Sequence, residues 1–157
     1  MLRLAGLDHV QLAMPAGGED EARRFYGTIL GLPEVAKPEP LAARGGCWFA
    51  GPGIHVHLGV EEPFRPAAKA HPGLLVEDVD AARAALQDAG VPIREDDVDI
   101  GVRRFYATDP FGNRLELIDA RDAGFTNALS APASRQPGQA RGSRVTRTPR
   151  TAPARRS

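Results

Sequence analysis

Residues 109–119 read Asp-Pro-Phe-Gly-Asn-Arg-Leu-Glu-Leu-Ile-Asp, a turn sequence that leads directly into a strand. Pro, Gly and Asn within five residues predict a tight turn, and the residues after it predict a strand over 114–119 with two different faces. Glu116 stands in the middle of this apolar strand. A carboxylate there needs a metal ion or a cationic partner, and Arg3, Arg103 and Arg104 are the candidate partners.

This strand is the last element of a series, one strand followed by a helix and three strands, that occurs twice along the chain. The first series comprises a strand at 7–14, a helix with an apolar stripe from Ala22 to Leu30, and strands at 34–37, 47–50 and 54–60. The second comprises a strand at 71–76, a helix with Asp78 as its N-cap, and strands at 93–95, 102–107 and 114–119. Gly and Pro clusters separate the elements in both series.

The two series also match residue by residue. His9 falls on His71 at an offset of 62, and Val56-His57-Leu58 falls on Leu115-Glu116-Leu117 at an offset of 59. One three-residue insertion in the loop around 15–20 explains the difference between the offsets. The chain is therefore predicted to form a single α+β domain over 1–122, with one module at 6–60 and the other at 70–120.

The C-terminal segment 123–157 differs from this domain in composition. Residues 128–157 hold seven Arg and no acid, which leaves 13 basic against 20 acidic residues in 1–127. Ala, Arg and Pro dominate the segment, so we predict a disordered basic tail. Because no aromatic residue is interleaved among the seven arginines for base stacking, nucleic-acid binding is not expected as the main function.

Two further features bound the setting of the protein. Cys47 is the only cysteine, which excludes an intrachain disulfide and a Cys-based zinc site. The chain contains no run of about 18 apolar residues that could span a membrane, and its N-terminus does not read as a secretory signal. We expect a soluble, cytoplasmic protein.

The repeat selects four side chains as candidate metal ligands: His9 and His71 on the first strand of each half, and His57 and Glu116 on the last. Imidazole nitrogens with one carboxylate suit Mn, Fe, Ni, Co or Zn. His55 competes with His57, because residues two apart on a strand share a face. The repeat favours His57 as the ligand and leaves His55 as a substrate contact or proton carrier.

The candidate substrate contacts lie on strands next to these ligands. They are Gln11, Trp48, Phe49, His55, Arg103, Arg104, Phe105 and Tyr106. Because successive strand residues point to opposite faces, only one of Trp48 and Phe49 and only one of the two arginines can face the site. An Arg there would suit a carboxylate, thiol-conjugate or phosphonate substrate. Gln11, Trp48, His55, Arg104 and Tyr106 form the predicted substrate-binding set.

The quoted motif, the repeat and the segments Leu-Asp-His9, Leu30-Gly31-Leu32 and His71 resemble the vicinal oxygen chelate superfamily. That superfamily includes glyoxalases, bleomycin- and fosfomycin-type resistance proteins, and extradiol dioxygenases. The resemblance covers residues 6–119 and implies two βαβββ modules that form a cupped mixed β-sheet around a divalent metal, often in a homodimer with sites shared between subunits.

The resemblance also implies residue roles and a function. Metal positions carry over to His9, His71 and Glu116, while His57 occupies a fourth position that glyoxalases fill with Glu. Glu116 and His57 would be the catalytic pair of a metal-dependent lyase or isomerase acting on a small oxygen-chelating substrate. The alternatives are a bleomycin-type protein that binds a drug without catalysis and a fosfomycin-type thiol transferase. An extradiol dioxygenase is less expected, because the usual kind doubles this domain.

Overall fold

The computed structural model describes residues 1–122, so the predicted tail lies outside the described residues. The first half contains β1 (Val10–Met14), α1 (Glu19–Ala22), β2 (Glu34–Val35), α2 (Glu39–Ala42), β3 (Trp48–Gly51) and β4 (Ile54–Val60). The second half contains β5 (Gly73–Val76), α3 (Val79–Asp88), β6 (Ile93–Glu95), β7 (Arg104–Thr108) and β8 (Arg114–Asp119). The predicted order of elements is confirmed.

Each half folds into a four-stranded mixed sheet. The strand orders are β1-β4-β3-β2 and β5-β8-β7-β6, and in each sheet the first and last strands pair in parallel while the other pairs are antiparallel. The predicted βαβββ modules are therefore confirmed. Within residues 1–122 the edge strands β1 and β5 share no backbone ladder, so the eight strands form two sheets rather than one continuous sheet.

The registers of the two sheets reproduce the sequence repeat. Gln11 pairs with His57 in the first sheet, and Gly73 pairs with Glu116 in the second. These four positions are related by the offsets of 62 and 59 that the sequence predicts. The repeat is therefore structural, and it places His57 and Glu116 at equivalent points of the two sheets.

The first helix and α2 differ from the sequence prediction, whereas α3 agrees with it. The first helix continues beyond α1 as a π-helix over Arg23–Ile29, with Leu30 N donating to Phe25 O over 2.9 Å. The wider turn accompanies the burial of the adjacent Phe25 and Tyr26. By contrast, α3 begins as predicted, because the Asp78 carboxylate accepts hydrogen bonds from the backbone N–H groups of Asp80 and Ala81. The short α2 lies in a segment predicted as a turn.

One hydrophobic core joins the two halves, and buried polar groups fix how they meet. The Tyr26 hydroxyl donates to Asp109 Oδ2 over 2.8 Å, and Asn113 Nδ2 donates to Ala13 O over 2.8 Å. Burial and the nearby Asp109 carboxylate raise the pKa of Tyr26. The predicted 109–113 turn thus also ties the second half to the first. Asp109 Oδ1 closes the turn by accepting from the backbone N–H groups of Phe111 and Asn113.

The helices of the described part are short. None of those within residues 1–122 is long and apolar enough to cross a membrane.

Candidate functional site

The four candidate ligands form two pairs, one on each sheet. His9 precedes β1 and contacts His57 on β4, and His71 precedes β5 and contacts Glu116 on β8. Leu58 and Leu117, one residue beyond His57 and Glu116, are buried in the core. Strand alternation therefore sends His57 and Glu116 to the opposite face of each sheet.

The first pair is an aromatic stack. The His57 ring lies between the His9 ring, at a centroid distance of 4.1 Å, and the Trp48 indole, at 4.0 Å. Trp48 is held there because it pairs with His57 across the β3–β4 ladder. Burial lowers the pKa of His57, and the nearby His9 and His55 rings lower it further. A neutral His57 ring offers a nitrogen lone pair, which a metal ligand requires.

Asp8 fixes the orientation of His9. Asp8 Oδ1 lies 2.6 Å from His9 Nδ1, and this hydrogen bond is the main reason that the pKa of Asp8 is lowered. Because a carboxylate accepts, Nδ1 carries a proton, and in the neutral form of the ring Nε2 is the nitrogen with a free lone pair. Asp8 was not predicted as a site residue, although its place beside His9 in the sequence was a usable signal.

In the second pair, His71 is oriented in the same way as His9, by an acceptor on Nδ1. His71 Nδ1 donates to Lys69 O over 2.7 Å, and His71 Nε2 lies 3.4 Å from Glu116 Oε2. A backbone carbonyl only accepts, so Nδ1 carries a proton. In the neutral form of the ring, Nε2 is then the unprotonated nitrogen and faces the carboxylate. Metal-binding histidines commonly donate their other N–H in this way. The Tyr106 ring meets His71 edge-on at a centroid distance of 5.4 Å.

Glu116 also has the cationic partner that its sequence context demanded. Arg104 Nη1 donates to Glu116 Oε1 over 2.9 Å, while Arg104 Nη2 donates to Asp96 Oδ2 over 2.6 Å. The Tyr106 hydroxyl donates to the same Asp96 oxygen over 3.1 Å. Of the three arginines considered, Arg104 is therefore the partner. Asp96 was missed, because a loop residue between β6 and β7 carries no periodic signal.

Three of the eight candidate substrate contacts lie elsewhere. Phe49 and Phe105 are fully buried in the core. Arg103 donates to Asp119 and Asp122, away from Glu116. In the pairs Trp48–Phe49 and Arg103–Arg104, successive side chains point to opposite faces, so one residue of each pair points away from the candidate ligands. Trp48, Arg104 and Tyr106 remain beside the candidate ligands.

The remaining candidates line grooves next to the two pairs. His9, His55 and His71 line a groove of about 700 Å³ that runs between β1 and β5. Gln11 and Trp48 line a smaller groove of about 250 Å³. A Cβ at Gly59 would lie 2.8 Å from Gln11 Nε2, so the glycine leaves room for this side chain.

The four candidate ligands do not assemble into one centre within the described chain. Among residues 1–122, no group of three or more His, Cys, Asp and Glu side chains is close enough to hold a metal ion. Within one chain the candidate ligands therefore remain two separate pairs, His9 with His57 and His71 with Glu116.

Paired βαβββ modules with chemistry-bearing residues on equivalent strands define the class of this protein. The chain belongs to the glyoxalase/bleomycin resistance protein/dioxygenase superfamily, whose family model matches residues 6–117. No curated protein has a significant match to the chain.

Solved structures show the same fold. The chain is similar to a protein from Bacillus anthracis assigned to the glyoxalase family, with 44% identity, a TM-score of 0.72, and coverage of 76% of this chain and 98% of that one. A fosfomycin resistance protein from Listeria monocytogenes is 15% identical, with a TM-score of 0.62 and coverage of 76% and 98%. A superfamily member from Sphaerobacter thermophilus is 22% identical, with a TM-score of 0.61 and coverage of 75% and 99%.

Proposed function

We propose that the protein is a homodimeric, divalent-metal-dependent lyase or isomerase of the glyoxalase type, acting on a small oxygen-chelating substrate. His9 and His57 of one subunit would join His71 and Glu116 of the other to hold the metal. The observation that carries this proposal is the matched state of His9 and His71. In each ring Nδ1 contacts an oxygen acceptor, so that in the neutral form of the ring Nε2 would be the nitrogen available to a cation.

The superfamily membership and the 44% identity to a glyoxalase family protein support this assignment. The likeness to the fosfomycin resistance protein, at 15% identity, supports the fold alone. A thiol transferase therefore has no support beyond the fold. The metal could be Mn, Fe, Ni, Co or Zn, since these suit three imidazoles and one carboxylate.

The residues around the site suggest how the reaction would proceed. A bound divalent cation would act as a Lewis acid on two substrate oxygens. Arg104 engages Glu116 Oε1 at 2.9 Å, so Oε2 is the oxygen that would bind the metal. Glu116 would have to leave the metal for Oε2 to take a proton from the substrate carbon and return it. His57 stays neutral near pH 7 because its pKa is lowered. Trp48 and Tyr106 would form apolar walls, with Gln11 and His55 as polar contacts.

A subunit-mixing experiment tests the shared site. One variant carries His9→Ala and His57→Ala, and the other carries His71→Ala and Glu116→Ala. Each alone lacks half of every site, so each should bind little metal. After joint unfolding and refolding, a mixed dimer would contain one intact site, so about a quarter of the wild-type metal sites should return. Metal content and activity on a methylglyoxal–thiol adduct would be measured together.

Two results of this experiment would contradict the proposal, and each has a different meaning. If mixed dimers form but no metal binding returns, the ligands are not shared between subunits. If either double variant alone retains wild-type metal affinity, the four residues are not the ligands.

A metal-free drug-binding protein is the second candidate. It is favoured by one observation: the Arg104 guanidinium already pairs with Glu116 at 2.9 Å, so the carboxylate is compensated without a metal. Analysis of protein purified without added metal separates the two functions. Wild-type protein that binds Mn, Fe, Ni or Zn no better than the His71→Ala, Glu116→Ala variant would favour the binding protein.

A further inference from the structure

A cavity of about 420 Å³ lies on the second sheet next to Tyr106 and outside the candidate ligand pairs. Its charged lining comes from Arg94 and Arg114, and Pro66, Pro92 and Ile93 supply apolar wall. The cavity therefore combines two positive charges with a surface that can bind a hydrocarbon group.

The sheet register brings these cations together. Arg94 on β6 pairs with Tyr106 on β7, and Arg114 on β8 pairs with Thr108 on β7. Alternation along β8 places Arg114 on the same face as Glu116. The Arg94 guanidinium lies 4.8 Å from the centroid of the Tyr106 ring, and the Arg114 guanidinium lies 5.5 Å from it. Tyr106 thus orients both arginines by cation–π contact.

The positive charge of this cavity is only partly compensated by nearby acids. Among residues 1–122, neither Arg94 nor Arg114 has a carboxylate oxygen within 4.0 Å. The two carboxylates of this face, Asp96 and Glu116, are both engaged by Arg104. Three guanidinium groups therefore share two carboxylates, which leaves one positive charge for a ligand.

We propose that Arg94, Arg114 and Tyr106 form a subsite for the carboxylate of a small organic acid whose apolar body packs against Pro66, Pro92 and Ile93. The bound acid is the substrate or co-substrate of the adjoining site, and this assignment of its role rests on the proposed function. Tyr106 connects the two places, because its ring contacts His71 as well as both arginines. Carboxylate binding itself needs no metal.

Titration of the full-length protein with hexanoate tests the subsite, followed by the amide chemical shifts of Thr108 and Gly112, which line the cavity. Hexanoate should bind and shift both amides, and acetate should bind more weakly, by about threefold per methylene removed. The neutral isostere hexanamide should not bind measurably. The Arg94→Gln, Arg114→Gln variant should lose affinity by roughly tenfold or more.

Matched variants separate this subsite from general electrostatics. Arg24→Gln removes one positive charge from the first helix, away from the cavity, and is the control for Arg94→Gln and Arg114→Gln made singly; it should leave hexanoate binding unchanged. Tyr106→Phe keeps the ring and should keep binding, whereas Tyr106→Leu should weaken it. Equal binding of hexanoate and hexanamide, or equal losses in the Arg24 and Arg94/Arg114 variants, would overturn the proposal.

The same titration in the His71→Ala, Glu116→Ala variant keeps the two proposals apart. Hexanoate binding that persists while metal binding is lost supports an independent carboxylate subsite. Hexanoate binding that is absent from a metal-loaded wild type removes the subsite and leaves the metal site standing.

Discussion

His71 Nε2 faces Glu116 Oε2 at 3.4 Å, on a ring whose Nδ1 is bound to Lys69 O. An unprotonated nitrogen and a carboxylate oxygen at this distance repel unless a proton or a cation lies between them. His9, beside the other sheet, is oriented in the same way, because its Nδ1 contacts the Asp8 carboxylate instead of a backbone carbonyl. The likeness of His9 and His71, rather than either pair alone, is the basis of the proposed metal site shared between subunits.

Substitution of Glu116 should weaken metal binding much more than substitution of His55. Glu116→Gln removes the only carboxylate of the predicted ligand set, so we expect roughly a tenfold or greater loss of affinity. His55→Ala should change affinity by roughly twofold or less, since His55 is the exposed neighbour. Titration with Mn²⁺ or Zn²⁺ measures both. The reverse ranking would make His55 the ligand of β4.

The stability of the protein should fall with decreasing pH partly through His57. Its folded-state pKa is lowered below the ordinary value of 6.5, so the folded protein binds this proton less readily than the unfolded chain. The stabilisation is present above 6.5 and is lost as the pH falls towards the folded pKa. His57→Gln should therefore flatten the pH dependence of urea unfolding between about pH 7 and 5. An identical slope in the variant would contradict the prediction.

Trp48 gives an independent readout of the same titration. It is the only tryptophan and stacks on His57 at 4.0 Å, and an imidazolium quenches indole fluorescence more strongly than neutral imidazole. Fluorescence should decrease as His57 is protonated, with a midpoint below pH 6.5. The His57→Gln variant should lose this transition, and a transition that survives in it would assign the quenching to another group.

The buried Tyr26–Asp109 hydrogen bond should contribute measurably to stability. Tyr26→Phe removes the donor but leaves Asp109 Oδ2 its second donor, Asn113 Nδ2, so we expect a loss of about 1–2 kcal/mol in the free energy of unfolding. Tyr106→Phe is the matched control on the partly exposed face and should cost about 0.5 kcal/mol or less. Urea denaturation measures both free energies of unfolding. Equal losses in the two variants would show that burial does not determine how much the hydrogen bond contributes to stability.

Truncation after Ala123 should leave the melting temperature within a few degrees of the full-length value. The buried hydrophobic core of the described residues lies between Met14 and Leu117, and the composition of 124–157 offers little apolar surface to bury. Thermal unfolding followed by circular dichroism measures the difference. A large drop would show that the removed segment packs on the domain.

The sequence by itself determined the modules and the faces of their strands. Repeat offsets in the sequence correspond to the Gln11–His57 and Gly73–Glu116 ladder pairs. The modules and the strand faces follow from local rules, because strand side chains alternate with a period of two and Gly, Pro and Asp end or begin elements. Those rules also predict that only one of Trp48 and Phe49, and only one of Arg103 and Arg104, can share the faces of His57 and Glu116.

Only the tertiary structure decided which groups meet across long stretches of chain. It selected Arg104 over Arg3 and Arg103 as the partner of Glu116, brought Asp96 from a loop onto Arg104, and separated the His9–His57 pair from the His71–Glu116 pair. Residue type and periodicity specify the face on which a side chain lies. Its distance from a partner on another element depends on how the elements pack, and packing is a property of the whole core.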